Sequence, residues 1–269
     1  MFEKLKKIVS KSINYEIKLT KYGVNIKIPV ISGIGRAHLD DHEPHIFEIL
    51  KFLVQNYPNL MLIDVGVNIG QTLIKFASLS GKDCYYIGFE PNVHAVNYVE
   101  KLVEANEYKN ALLIPVALGS EAQIGELLVS SKTGVDPAAS LNSEFRDSSF
   151  YQSKKYVQII NGDQVFELLN IQNDNIVIKI DVEGFEAEVI EGLKHTLEFR
   201  RPIVIMEILP PSDFSANVSI YRLRRKDEIF SYMNSLRYRQ LRIAKSHDYL
   251  FVPKEDDKLI KMLSTHSTA

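Results

Sequence analysis

Apolar and polar positions alternate from Tyr15 to Val30: Tyr15, Ile17 and Leu19, then Val24, Ile26, Ile28 and Val30, with a break at Lys21-Tyr22-Gly23. A period of two predicts a β-hairpin with polar residues on its second face. Pro44 to Tyr57 reads as a helix stopped by Pro58. After this the rhythm changes. LMLIDVG (60–66), CYYIGFE (84–90), ALLIPVAL (111–118), NIVIKID (175–181) and PIVIMEI (202–208) are near-continuous apolar runs of strand length. Gln71–Ser80, Asn92–Asn106 and Phe185–Leu197 carry apolar residues at helical spacing, with Asn92 as an N-cap. Buried strands alternating with amphipathic helices predict a mostly parallel sheet covered on both faces. YRQLRIA (238–244) and YLFVPK (249–254) are joined by so short a link that they must be antiparallel neighbours. The expected fold is therefore α/β and Rossmann-like, ending in an antiparallel hairpin.

Two stretches interrupt the alternation. Ser130 to Lys155 is poor in large aliphatics and reads as a lid or binding loop; Leu209 to Asp227 follows a sheet strand without a clear element of its own.

Composition narrows the function classes. The 269 residues are 45% hydrophobic and 25% charged with a net charge of −2, so nothing global points to nucleic acid or an anionic membrane. Cys84 is the only cysteine, which excludes an internal disulfide and fits a reducing, cytoplasmic setting. No apolar run approaches the ~20 residues of a membrane span. MFEKLKKIVSKS lacks the apolar stretch of a secretory signal; Phe2, Leu5, Ile8 and Val9 against four lysines suggest a short amphipathic helix, docked on the protein or touching a membrane peripherally.

The sharpest chemical element is DVGVNIG, Asp64 to Gly70, at a strand-to-helix junction. Glycines there let backbone N–H groups approach a ligand, and the helix start that follows favours a carboxylate. Gly66 and Gly70 are separated by three residues, so the dinucleotide pattern G-x-G-x-x-G is not present. Glu90 ends the next strand, where a carboxylate can accept hydrogen bonds from both hydroxyls of a ribose. Ala117, Leu118 and Gly119 close the third strand, where an adenine ring would lie. In KIDVEGFE, Lys179 and Asp181 share a strand face, and a lysine inside an apolar strand needs a partner. Glu207, in the adjacent run, is the expected one.

DVGVNIG, then FEPN (89–92), VALG (116–119), ASL (139–141) and KIDVEGFE occur in an order that resembles the FkbM-type methyltransferases, from about Leu60 to Ile208. The resemblance implies a class I methyltransferase fold, S-adenosylmethionine as donor, and O-methylation of a saccharide or related small molecule. It assigns Asp64, Gly66, Asn68 and Gly70 to the donor loop, Glu90 to the ribose, and Lys179, Asp181 and Glu183 to the second signature. Asp181 is the first candidate for the base that takes the acceptor's proton and Glu183 the second. Asp163 matches an acid expected to be structural. Val67 stands where the family commonly has alanine. The domain expectation is an appendage over 1–57 and a methyltransferase domain over 58–269, with substrate choice decided in the N-terminal hairpin and after Ile208.

Two other readings compete. A nucleic-acid methyltransferase rests only on the basic run Arg222, Arg224, Arg225, Lys226, Arg237, Arg239, Arg242 and Lys245, which otherwise is a solvated face or a site for an anionic acceptor. A non-catalytic binding module would sit poorly with intact Asp64, Glu90 and Asp181. His38, Asp40, Asp41, His42 and His45 crowd one helix entrance; an aspartate helix cap and surface histidines explain them better than a metal site, and no metal is expected.

Overall fold

The computed structural model describes residues 14–131, 134–211, 215–256 and 259–260. The amphipathic helix expected over Phe2–Lys11 lies outside the described residues. The chain divides into two compact units, one ending at Pro115 and one beginning at Val116.

In the first unit, β1 (Tyr15–Lys21) and β2 (Val24–Val30) form the expected hairpin, with Lys21 opposite Val24. Its two-residue turn needs positive φ at both positions, and Tyr22 and Gly23 have φ 54° and 80°. Ile26 and Ile28 point down onto Ile74 and Leu102, so the hairpin is part of this unit's core. Asn106 fixes its register by donating to the Lys27 carbonyl and accepting the Lys27 N–H. Helix α1 (Pro44–Asn56) precedes three parallel strands, β3 (Met61–Val65), β4 (Tyr85–Phe89) and β5 (Ala111–Ile114), paired in that order. Helices α2 (Gln71–Ser80) and α3 (Val93–Asn106) connect them. Asn92 caps α3, its side chain accepting the His94 N–H.

The second unit begins with a correction. ALLIPVAL is not one strand: β5 ends at Ile114, and Ala117–Gly119 is a separate strand, β6, in another sheet. Pro115, which has no N–H to donate, lies at the break. Strand β6 pairs in parallel with β8 (Ser153–Asn161), and β8 pairs antiparallel with β7 (Gln123–Val129). Helix α4 (Gly162–Leu168) leads to β9 (Ile176–Ile180), α5 (Glu186–Gly192) and β10 (Ile203–Glu207). Strands β9 and β10 are parallel. The helix expected over Phe185–Leu197 stops at Gly192 and gives way to a π turn, Thr196–Arg200. Leu209–Asp227 is not an irregular stretch throughout, because α6 (Ala216–Ser235) occupies most of it. Strands β11 (Tyr238–Arg242) and β12 (Asp248–Pro253) form the antiparallel hairpin, with β12 also antiparallel to β10.

Candidate functional site

In the first unit the Asp64–Gly70 loop leaves β3 at its carboxyl end. Asp64 is fully buried and accepts the Tyr86 hydroxyl at 2.7 Å. Burial, with the Asp64 charge second, raises the Tyr86 phenol far above its ordinary pKa, so it stays a donor. Gly66, Asn68 and Gly70 all have positive φ (95°, 51° and 82°), a chain course that favours glycine and asparagine. The Gly66 N–H bonds the Phe89 carbonyl, and the Gly70 N–H closes back on Val67.

Glu90 joins this loop to the next one. Its Oε2 accepts the Asn68 N–H at 2.9 Å and its Oε1 the Asn92 N–H at 2.8 Å. Both carboxylate oxygens are thus fixed between the two loops. The Val67 side chain is buried, with Cγ2 where a Cβ on Gly88 would stand 2.5 Å away. Glycine in β4 thus accommodates the larger residue.

In the second unit, β9 and β10 end side by side. Ile180 pairs with Met206, and the next residues are Asp181 and Glu207. Lys179, 3% exposed, donates to Asp181 Oδ2 at 2.9 Å. The sequence pointed to Glu207 as its partner; the structure places Asp181 there, while the Lys179 charge also favours ionised Glu207. Glu183, with φ 52°, turns its carboxylate to Arg146 at 2.5 Å. One oxygen each of Asp181, Glu183 and Glu207 lies within 4.8 Å of the others, a spacing at which like charges share protons or a cation. Burial, then the Asp181 charge, raises the Glu183 carboxyl to about 7. The same two causes push Glu207 well upward, with Glu183 and Asp248 adding to the shift.

The Ser130–Lys155 stretch docks here by polar contacts. Asp136 gathers the N–H groups of Ser130, Ser131 and Ala138. Ser140 Oγ donates to the Glu183 carbonyl at 2.6 Å, and Asn142 donates to Gly184 and to the Tyr221 hydroxyl. Arg222, 5% exposed, bonds the Phe145 and Pro210 carbonyls. Ser140, Asn142, Arg146, Tyr221 and Arg222 were not singled out individually from the sequence. The ASL motif was the signal for Ser140, and Asn142 directly follows it. The arginines looked like ordinary surface charge.

Other candidates settle into place. Ala117 and Leu118 are buried in β6, not at the end of the third parallel strand. Asp163 caps the π turn by accepting the His195 and Thr196 N–H groups, a structural role. The basic run is not one patch: Arg222 is buried, Arg225 is paired with Glu188 and Glu228, and Arg224 is exposed. Neither Asp40 nor Asp41 caps α1, since Glu43 holds that position without a side-chain cap bond. His38 is buried, stacked on Tyr98, and not on the surface. Among the described residues no helix is long and apolar enough to cross a membrane.

A family model described as the methyltransferase FkbM domain matches residues 64–240. Hexuronic acid methyltransferase AglP of Haloferax volcanii is 28% identical over 166 residues, covering 61% of this chain and 63% of its own length. The chain thus spans less than two thirds of that relative. A Staphylococcus aureus structure carrying the provisional name caffeoyl-CoA O-methyltransferase is 14% identical, covers 80% of this chain and 87% of its own, and superposes with a TM-score of 0.50. A methyltransferase FkbM structure from Methylobacillus flagellatus KT is also 14% identical, covering 71% of this chain and 43% of its own, with a TM-score of 0.44.

Proposed function

Because this chain belongs to the methyltransferase FkbM domain family and has the Rossmann-like class I methyltransferase fold, we propose that it transfers the methyl group of S-adenosylmethionine to a hydroxyl of a saccharide or related small molecule. The observation that carries the donor half is Glu90, held at the end of β4 by the Asn68 and Asn92 N–H groups. That chemistry fits a ribose diol. Gly66 and Gly70 add a backbone that carries no side chain against a ligand, and Asn68 bends the loop between them.

S-adenosylmethionine, when bound, supplies a methyl group already activated by its positive sulfur. The chain's own tasks are binding, orientation and proton removal. Asp64, braced by Tyr86, holds the loop; Glu90 accepts the ribose hydroxyls; Ala117 and Leu118 are the proposed apolar contacts of an adenine ring. Asp181 takes the acceptor's proton, oriented by the Lys179 ammonium, with Glu183 as the second carboxylate of the set. The hexuronic acid named for the Haloferax volcanii relative supports a sugar-type acceptor.

Thermal unfolding tests the donor half. S-adenosylhomocysteine should raise the Tm and NAD should not, because only a ligand of the native state stabilises it. A shift with NAD alone would refute the assignment.

A further inference from the structure

Arg146 reaches the carboxylate set of the second unit from the 134–155 stretch. Its Nη2 bonds Glu183 Oε2 at 2.5 Å, and the two side chains are 16% and 17% exposed. Among the described residues, Glu183 is the carboxylate with which this guanidinium pairs. The guanidinium carbon lies 5.3 Å from the centre of the Phe145 ring and 4.9 Å from that of Phe150, cation–π contacts that hold it in place. The same stretch grips Glu183 a second time, because Ser140 Oγ donates to the Glu183 carbonyl at 2.6 Å. Glu183 keeps φ 52°, a backbone that non-glycine residues rarely adopt, while bonded twice by one loop.

Charge faces Glu183 from the neighbouring elements. Asp181, after β9, and Glu207, at the end of β10, each bring one oxygen within 4.8 Å of it and of each other. Glu186, buried in α5, accepts the Gly184 N–H, and its carboxyl is raised to about 7, mainly by burial. Two cations oppose these acids: Arg146, which is bonded, and Arg222 of α6, which acts through space and bonds the Phe145 carbonyl. Lys179 is bonded to Asp181. Tyr151 also faces Glu183, and burial raises its phenol, so it stays neutral. Burial first, then the Asp181 charge, lifts the Glu183 carboxyl to about 7; Arg146, by charge and by hydrogen bond, is the strongest influence holding it down.

We propose that Arg146 is a positioning residue, which keeps Glu183 charged and in place to receive the proton that Asp181 takes from the acceptor. Resting on the methyl transfer proposed for this chain, the role of Arg146 adds the proton's next station. The acceptor's O–H bond breaks and its proton goes to the Asp181 carboxylate. The electron pair left on oxygen takes the methyl group, while the former C–S pair stays with sulfur. The proton then passes to Glu183, directly or through one water, across a separation of 4.8 Å or less, and Asp181 is a carboxylate again. Lys179 favours that return to the charged form. Glu183, 17% exposed, releases the proton to solvent. A Glu183 that already carries a proton cannot accept another, so its charge has to be held against burial and its acidic neighbours.

Two measurements on the full chain test this. Carboxyl-carbon NMR, with the Glu183 signal identified by its loss in Glu183→Gln, follows the titration between about pH 5 and 10. Loss of the bonded cation in Arg146→Met should move the Glu183 midpoint up by at least ~1 pH unit, and Arg146→Lys, which keeps a charge, should return part of that shift. The second measurement is methyl transfer from labelled S-adenosylmethionine to glucuronic acid and to glucose. Its rate should rise with pH along the Glu183 titration, so the acid limb should move up in Arg146→Met together with the NMR midpoint. An arginine that only braces the loop would lower the Tm and leave both midpoints in place. Either midpoint unmoved in folded Arg146→Met overturns the proposal. If that variant does not fold, as judged by its Tm, the wild type decides: an acid limb that does not coincide with the Glu183 titration overturns it. No transfer by the wild type, with the NMR midpoint moving as expected, would place the failure in the enzymatic reading, and the proton path would fall with it.

Discussion

Lys179 Nζ lies 2.9 Å from Asp181 Oδ2, two residues along the same face of β9. The lysine therefore does more than brace the sheet against Glu207: it holds the proposed base. Lys179→Met leaves Asp181 without the ammonium it is bonded to, and Glu207 without a charge that favours its ionised form. The loss should be about 2–4 kcal/mol in urea unfolding, toward the lower part of the buried-pair range because Asp181 is a quarter exposed. Adding Asp181→Asn should recover part of that loss. A Lys179→Met protein as stable as the wild type would show that the pair holds nothing together.

The carboxyl cluster makes stability fall as pH rises. Folded Glu183 and Glu186 reach about 7, both mainly through burial, against an ordinary 4.5. Between those values the folded chain binds more protons than the unfolded one, so raising the pH costs stability. His38 acts in the opposite sense between about 4 and 6.5, because burial lowers it. Above 6.5 its contribution is complete, and the fall should dominate. Glu207, raised by burial and by Asp181, extends the loss above pH 7. Tm measured at constant ionic strength should drop from pH 6.5 to 8.5, and Glu207→Gln should flatten the drop. A Tm that rises across that interval in the wild type would contradict the placement of these protons.

Glu90→Ala removes the acceptor of two loop N–H groups as well as the proposed ribose contact. Stability should fall by about 1–3 kcal/mol, the cost of leaving such groups unmet. Affinity for S-adenosylhomocysteine should fall at least ~10-fold, since hydrogen bonds to a charged acceptor are worth more than neutral ones. Isothermal titration on the folded fraction separates the two effects. Unchanged affinity would remove Glu90 from the donor site.

Phe145, within the Ser130–Lys155 stretch read as a lid or binding loop, lies against Gly184. A Cβ on Gly184 would lie 2.4 Å from ring carbons of Phe145, and Gly184 has φ 101°. Gly184→Ala should destabilise by about 2–4 kcal/mol, from overpacking and a backbone that side chains rarely adopt. Ser140→Ala removes the bond to the Glu183 carbonyl and should speed protease cleavage within 134–155. Equal cleavage rates for Ser140→Ala and the wild type would show the contact to be idle.

Much of the fold was legible because apolar periodicity reports burial directly. The hairpin break at Tyr22-Gly23, the helix Gln71–Ser80 and the C-terminal hairpin stand where their patterns put them. The misses share a cause. Strands β7 and β8 carry mixed, partly exposed faces, and α6 packs through Tyr221 and Arg222 as well as Val218, Ile229 and Met233. Polar residues that pack look like surface to a period-based reading. The docking of Ser140 and Asn142 is likewise written in hydrogen bonds, which composition does not display. ALLIPVAL looked continuous because apolar runs conceal a change of sheet, although Pro115 was visible within it. The strand-end positions of Asp64, Glu90 and Asp181 were readable from the apolar runs; that Lys179 bonds Asp181 needed coordinates.

The most direct test of the central claim is single-turnover transfer of a labelled methyl group from S-adenosylmethionine at saturating donor. The acceptors are uronic-acid-containing and neutral saccharides, with wild type and Asp181→Asn compared under identical conditions. The account predicts label on an acceptor hydroxyl with the wild type, and a rate lower by roughly 10²–10⁴-fold in Asp181→Asn with donor affinity largely kept. Transfer by Asp181→Asn at the wild-type rate would contradict the assignment of the base, and label recovered on nucleic acid and on no saccharide would contradict the assignment of the acceptor.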